Sequence, residues 1–417
     1  MPPPDATAPV TVLGADIVGI STALSLAERG VTVRVIDKGA PGQETSMGNA
    51  GVISPWSIIP QALPGTWKQI PKLMFGYGRP LSIHPRTLPR MIPWGLRFLR
   101  QGREDRVRAS ADAMEFLCAP SVDLYRRHLD GTEHEGLVQD SMYIHAFRDG
   151  SRANLGAIDY RIRSAKGADL ELVGRDRLAA LEPALSPDFQ AAVLIKGQAR
   201  ALSPGRISKV LAEKAASMGV VFVSDEVRAL RPSDGGWQIT CQNQTFTSDR
   251  VVLSMGAWSK AVLDPLGLKL PLMAERGYHI ECPAPGVELN HSVMDTDAKI
   301  VASSMEGGLR VAGQAEFAPV DAPPNPKRQA QLESIAQAAF PGIDTSGARF
   351  WMGRRPSFPD SLPVIGQAPG FEGLFLNFGH SHYGLMMAPK SGEVLAELVT
   401  GRPTNVDLGA FSAARFA

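Results

Sequence analysis

The chain has 417 residues, 44% hydrophobic and 20% charged, a globular composition that excludes a disordered or fibrous protein and suits two to three domains. Lys plus Arg number 43 against 42 Asp plus Glu, so the formal charge of +1 supplies no general pull toward nucleic acid or anionic lipid. Cys118, Cys241 and Cys282 are odd in number and far apart, which excludes a disulfide scaffold and a zinc site and makes a reducing cytoplasmic setting the default.

Met1–Pro9 is rich in Pro and Ala with no basic start, so it reads as a disordered lead-in and not a secretory signal. Val10-Thr-Val-Leu13 is an apolar run typical of a buried parallel strand, and Gly14 turns the chain. Ile17, Ile20, Leu24 and Ala27 follow at helical spacing, with Gly30 as the C-terminal stop. Val31–Ile36 is a second strand, ending in Asp37. The uncharged stretch Thr45–Trp67 is too broken by Pro55, Pro60, Pro64 and three glycines to span a membrane.

Pro55–Arg100 predicts loops and short helices carrying Trp56, Trp67, Phe75, Trp94 and Phe98, read either as core under a loop or as a lid that docks on a membrane. A helix is expected over Glu104–His128, a strand over Leu137–Phe147, and a helix–strand pair over Arg206–Met218 and Val220–Val223. Gly236–Phe246 predicts a hairpin and Arg250–Met255 a strand closing on Gly256; Tyr278–Phe317 is strand-like. Leu374–Phe378 predicts a strand, Gly379–Gly384 a turn, and Pro389–Thr400 a helix.

The phosphate turn expected between such a strand and helix is G-x-G-x-x-G with an acid about 20 residues on. Here it reads Gly14-Ala15-Asp16-Ile17-Val18-Gly19, with Asp37 in the acid position to meet a ribose hydroxyl and Lys38 as its solvated neighbour. Asp16 replaces the middle glycine. A carboxylate there holds the backbone off a pyrophosphate and repels it, unless it turns aside as a helix-capping acid.

Further along, Glu44–Gly51, Val251–Trp258, Trp351–Gly366 and Phe378–Gly384 resemble, in the right order, four motifs of the FAD-dependent D-amino-acid oxidase/dehydrogenase superfamily. Glu275–Ile280, Met305–Gly313 and Trp351–Ser357 resemble its glyphosate oxidoreductase-like D-amino-acid dehydrogenase branch. The resemblance implies an α/β fold in which a Rossmann-like FAD-binding domain (1–65, 196–260 and 350–417) is interleaved with a β-sheet-rich substrate domain (66–195 and 261–349). It also implies FAD contacts at Gly14, Asp16, Ile17, Val18, Gly19, Asp37, Lys38, Thr45, Ser46, Asn49, Ala50, Gly51, Val52, Val227, Ser254, Gly256, Trp258, Gly353, Arg355, Gly379, His380, Ser381, Tyr383, Gly384 and Leu385. No His or Cys stands in Thr45–Gly51, so the FAD is expected to be non-covalent.

Relatives oxidise an amine beside a carboxylate by passing the Cα hydride to flavin, and the imine hydrolyses to a keto acid or glyoxylate plus amine. In Gly-x-Arg-Pro the resemblance assigns Arg355 to the substrate carboxylate, which its planar fork suits. By strand alternation only one of Tyr278 and His279 faces the flavin, Tyr278 being the candidate carboxylate donor. Lys299 is the candidate for a second anionic group, and His380 and His382 for proton shuttling. The implied partners are a small amino-acid substrate and oxygen or a quinone as acceptor, with no nucleic acid, no metal, and cytoplasmic or peripheral inner-membrane placement. A secondary-amine oxidase, a nicotinamide enzyme and a flavin-poor binding protein are the alternatives.

Overall fold

The computed structural model describes residues 9–417; of the predicted lead-in, residues 1–8 lie outside them. Two sheets organise the molecule. The first runs Val364–Gln367, Leu374–Phe378, Val251–Leu253, Val10–Leu13, Val33–Asp37, Val221–Ser224 in spatial order, parallel except for its first strand. Its central strands are buried on both faces, which is why they read as uninterrupted apolar runs. Helix Ile17–Ala27 covers one face and is itself covered by Gly384–Val399; a Cβ at Gly392 would stand 2.7 Å from the Ser21 backbone, so that glycine sets how closely the two helices approach.

The second sheet orders Arg349–Ser357, Met273–Cys282, Gly308–Phe317, Ile300–Met305, Ser292–Asp295, Val138–Phe147, Ala191–Ala201 and Val52–Ile53, with Leu81–Ile83 and Leu170–Gly174 attached at its sides. Helix Lys327–Ala339 packs an apolar core of Leu332, Ile335 and Ala336 on one of its faces. The expected hairpin forms as Gly236–Cys241 and Thr245–Ser248, joined by Val227–Ser233 into a third, small sheet.

Several boundaries move, each for a local reason. The helix foreseen over Glu104–His128 is two helices, Glu104–Cys118 and Ser121–Leu129, parted at Pro120. The last helix starts at Gly384, five residues before the expected Pro389. Pro389 has no N–H for the Leu385 carbonyl, and the Tyr125 hydroxyl donates to that oxygen instead at 2.6 Å, so the proline is tolerated inside the helix. The domain limits at 196 and 350 do not follow the sheets: Ala191–Ala201 runs through the first, and Arg349–Ser357, grouped with the cofactor domain, pairs with Met273–Cys282 in the second sheet. Motifs mark where a chain meets a ligand, whereas backbone hydrogen bonding decides which sheet owns the strand.

The aromatic stretch is divided between core and surface. Trp94 is buried, stacked on Phe98 at 5.3 Å and tilted against Phe317, while Trp67, Phe75, Ile92 and Leu96 face outward at 61%, 75%, 64% and 56% exposure. Among the described residues no helix is long and apolar enough to cross a membrane.

Candidate active site

A cleft opens at the carboxyl ends of the parallel strands, where such sheets bind ligands. Its lining includes Gly14, Asp16, Val18, Asp37, Lys38, Thr45, Ser46, Val227, Ser254, Gly256, Trp258, Gly379, His380, Ser381 and Gly384 from the predicted set. Gly14 sits at φ +108°, and a Cβ there would come within 2.4 Å of the Ser254 carbonyl; a Cβ at Gly19 would meet the Gly14 carbonyl at 1.9 Å. These two glycines are therefore required by close backbone approach. Asp37 accepts from Ala15 N–H at 2.7 Å and from Gly39 N–H at 2.9 Å, so it ties the glycine turn to its own strand end while still lining the cleft. Lys38 is not merely solvated: its ammonium lies 4.1 Å from the centre of the Trp258 ring.

Asp16 turns aside, but not as a helix cap. Its Oδ2 accepts from the Ser46 N–H at 3.0 Å and hydroxyl at 2.9 Å, with no side-chain cap bond to the helix it precedes. Its Oδ1 is buried with no partner among the described residues. Burial raises its pKa against the Ser46 hydrogen bonds, and Asp37 adds to the rise. The Ser254 hydroxyl and His380 Nδ1 are likewise buried without partners while their residues line the cleft. Glycine turns at a helix start and unpaired polar atoms along one groove fit a dinucleotide such as FAD, with the pyrophosphate at the head of Ile17–Ala27.

The other predicted contacts play supporting parts. Ile17 and Gly19 are buried in the helix, Asn49 accepts from Gly51 N–H at 2.9 Å, and Val52 pairs with Arg200, so Asn49, Ala50, Gly51 and Val52 fasten the loop to the large sheet and do not line the cleft. A Cβ at Gly353 would strike the Trp351 ring at 2.4 Å. Tyr383 donates to Ile59 O at 2.6 Å and Leu385 is core. Glu44, Glu226, Arg228 and Met255 also line the cleft, Arg228 from the strand Val227–Ser233 and the others from loops, and no sequence signature marks them.

Next to the cleft, the strand pair Met273–Cys282 and Arg349–Ser357 places Glu275 opposite Arg355 and Gly277 opposite Gly353. Arg355 Nη1 donates to Glu275 Oε1 at 2.9 Å and to the Gln314 carbonyl at 2.9 Å. Its Nε and Nη2 make no hydrogen bond among the described residues, and its side chain is 21% exposed, so one whole edge of the fork is left open. The guanidinium lies over Gly277, where a Cβ would fall 2.3 Å from Cζ. Glu275 is buried and also accepts from Ser357 at 2.9 Å and Gln61 at 3.2 Å. Burial alone would raise the Glu275 pKa, but the Arg355 guanidinium, which also donates to it, holds it below the ordinary glutamate value.

Tyr278 and Lys299 lie away from the cleft, whereas His380 lines it. Tyr278 points to the opposite face, its hydroxyl donating to Glu316, which pairs with Arg276 at 3.4 Å, and its ring stacks on Phe350. Tyrosine in that core cannot reach a carboxylate beside Arg355. His279 shares the face of Glu275 but stacks on Trp351 and contacts Gly48 O at 3.2 Å. Lys299 is exposed at φ +55° in the turn before Ile300–Met305, away from the cleft. Burial pushes His380 down to about 3 and His382 down to about 4. Desolvation favours the neutral imidazole in both. His380 bonds Ser391 at 3.2 Å, and His382 bonds Gln61 at 3.0 Å.

Comparison with known proteins gives the family and the fold. A D-amino-acid oxidase of Bradyrhizobium diazoefficiens is 34% identical over 417 residues, spanning 98% of either chain. A D-amino acid dehydrogenase of Allorhizobium ampelinum is 32% identical over 419 residues, again 98% of each. The glycine oxidase structure from Geobacillus kaustophilus superposes with a TM-score of 0.75 at 22% identity, over 99% of both chains, so the α/β fold is shared. Residues 9–398 match the family described as FAD dependent oxidoreductase, and the chain therefore belongs to that family, with FAD as its cofactor.

Proposed function

We propose that the protein oxidises a small D-amino acid or an N-substituted glycine of the glyphosate kind, releasing an imine that hydrolyses to a keto acid or glyoxylate plus amine. The observation that carries this reading is the open Nε–Nη2 edge of Arg355 beside the cofactor cleft, its third nitrogen already anchored by Glu275 and Gln314. A planar, pre-oriented fork of that kind holds a carboxylate in two parallel hydrogen bonds. When bound without a covalent link, the flavin supplies the hydride acceptor. The chain's own part is to bind, orient and desolvate: Arg355 fixes the carboxylate, and the buried Glu275 and the Gln314 carbonyl hold Arg355 in place. A secondary-amine substrate, such as sarcosine or an imino acid, uses the same anchor, and the structural likeness to an iminodiacetate oxidase of Chelativorans sp. BNC1 (TM-score 0.73, 23% identity, 97% of this chain and 98% of that one) favours keeping it as the second reading.

The deciding experiment is anaerobic bleaching of the purified yellow protein with D-alanine, glycine, sarcosine and glyphosate, followed by reoxidation with oxygen or a quinone. Bleaching by none of them refutes the reading. We further infer that the enzyme rests on anionic membrane where a quinone serves as acceptor. Between residues 66 and 103 the chain carries Lys68, Lys72, Arg79, Arg86, Arg90, Arg97, Arg100 and Arg103 and no acid, interleaved with outward-facing Trp67, Phe75, Ile92 and Leu96. Co-sedimentation with anionic but not neutral vesicles, lost on Phe75→Asp with Ile92→Asp, tests it.

A further inference from the structure

Gln314 has the profile of a ligand-binding residue that the site described so far leaves unused. Its side chain is 3% exposed, yet neither Nε2 nor Oε1 finds a hydrogen-bond partner among the described residues. Leaving a carboxamide buried with both polar atoms unpaired is costly, and native interiors contain few such groups unless something else satisfies them. Its backbone is also unusual, at φ +63°. The register between Met273–Cys282 and Gly308–Phe317 shifts here: Arg276 faces Glu316 and Tyr278 faces Gly313, so Gln314 and Ala315 together oppose Gly277. This is a bulge, a device that re-aims a side chain. The residue it opposes is the one over which the Arg355 guanidinium lies, and the Gln314 carbonyl is what holds Arg355 Nη1.

The geometry points to Gln314 as the second substrate-binding residue, reading the amino group beside the carboxylate. Its Nε2 donates to the carboxylate gripped by the open edge of Arg355, and its Oε1 accepts an N–H of the neighbouring amine. An α-amino acid offers an acceptor and a donor three bonds apart, close enough for the complementary pair of a primary carboxamide to meet both. Arg355 by itself recognises any small carboxylate; Gln314 makes the amine part of the recognition. This rests on the amino-acid reading proposed above and names the residue that enforces it.

The test uses two ligands of nearly the same shape on the FAD-loaded enzyme: 2-aminoisobutyrate, which has an amine but no Cα hydrogen to give up, and isobutyrate, which lacks the amine. Each is titrated against the visible flavin spectrum. Gln314→Gly removes the side chain and suits the positive φ, and Gln314→Met keeps the length without polar atoms. The native enzyme is expected to favour 2-aminoisobutyrate by about tenfold or more, and both variants to bring the two dissociation constants to within about twofold while keeping flavin content and melting temperature. A preference that survives in both variants overturns the role of Gln314. A native enzyme that binds isobutyrate as well as 2-aminoisobutyrate overturns it too, whatever the variants do. A native enzyme whose spectrum responds to neither ligand overturns the role of Gln314; if D-alanine, glycine, sarcosine and glyphosate also fail to bleach it, the amino-acid reading falls too, whereas bleaching by any of them leaves that reading standing.

Discussion

Asp16 and Glu275 are both buried carboxyls at the edges of one site, the first at the head of the helix after Val10–Leu13, the second on a strand of the ten-stranded sheet. Their acidities move in opposite directions. Asp16 has only the Ser46 groups and a second acid, Asp37, near it, so burial prevails and its pKa rises. Glu275 is as deeply buried, but Arg355 lies at 2.9 Å and its pKa falls. The parallel sheet presents backbone and leaves Asp16 without a counter-charge at the cleft; the large sheet matches charge with charge and leaves only one edge of an arginine free. The first arrangement suits a cofactor held by many weak contacts along a groove, the second a small anion held by few strong ones.

The sharpest way to break the comparison is Arg355→Met. It removes the carboxylate anchor and strands Glu275 without its counter-charge, so catalytic efficiency on the best substrate should drop by about a thousandfold or more and stability by about 3–5 kcal/mol. Adding Glu275→Gln should restore the melting temperature but not the activity; activity that persists in either would take Arg355 out of the substrate site. Gly277→Ala comes next. A Cβ 2.3 Å from Cζ must push the guanidinium aside, so KM should rise about tenfold with flavin content unchanged. Equal KM values would show that the fork moves freely.

On the other side of the comparison, Asp16→Asn should tighten FAD by about tenfold at neutral pH, measured by quenching of flavin fluorescence. Because the folded-state pKa of Asp16 is raised, the favourable protonated form predominates below it and is lost as pH rises through it. Native FAD affinity should therefore weaken as pH rises through that raised folded-state value, and the asparagine variant should lose that slope. Parallel curves would mean the carboxylate never meets the phosphates. The smallest effect concerns Glu275, whose lowered pKa gives stability that is full above the ordinary glutamate range and lost as pH falls through the folded-state value. Glu275→Gln should flatten that acid limb in a plot of melting temperature against pH.

The cofactor cleft was largely legible because its requirements are local. A buried parallel strand must be apolar throughout, a tight turn against Ser254 must be glycine, and the strand-end acid must follow one helix later, so Gly14, Gly19 and Asp37 announce themselves within 28 residues, from Val10 to Asp37. The substrate face was not. Tyr278 and Glu275 are three residues apart on one strand, and alternation alone cannot tell which face meets the ligand; the stacking of Tyr278 on Phe350 and its bond to Glu316 decide it. Likewise no periodicity marks Gln314, whose position depends on a register shift between two strands.

From the order of its residues alone the chain settles that a βαβ unit opens it, that its phosphate turn carries an acid in place of a glycine, and that Arg355 follows Gly353 at the distance a strand requires, since each of these depends on neighbours a few positions away. Which carboxyl burial drives toward its neutral form, which edge of Arg355 stays free and which carboxamide is left without a partner were decided only when segments 30 to 80 residues apart came within hydrogen-bond reach. Burial and cross-strand pairing set the charge state and orientation of a polar group, and both are properties of the folded chain.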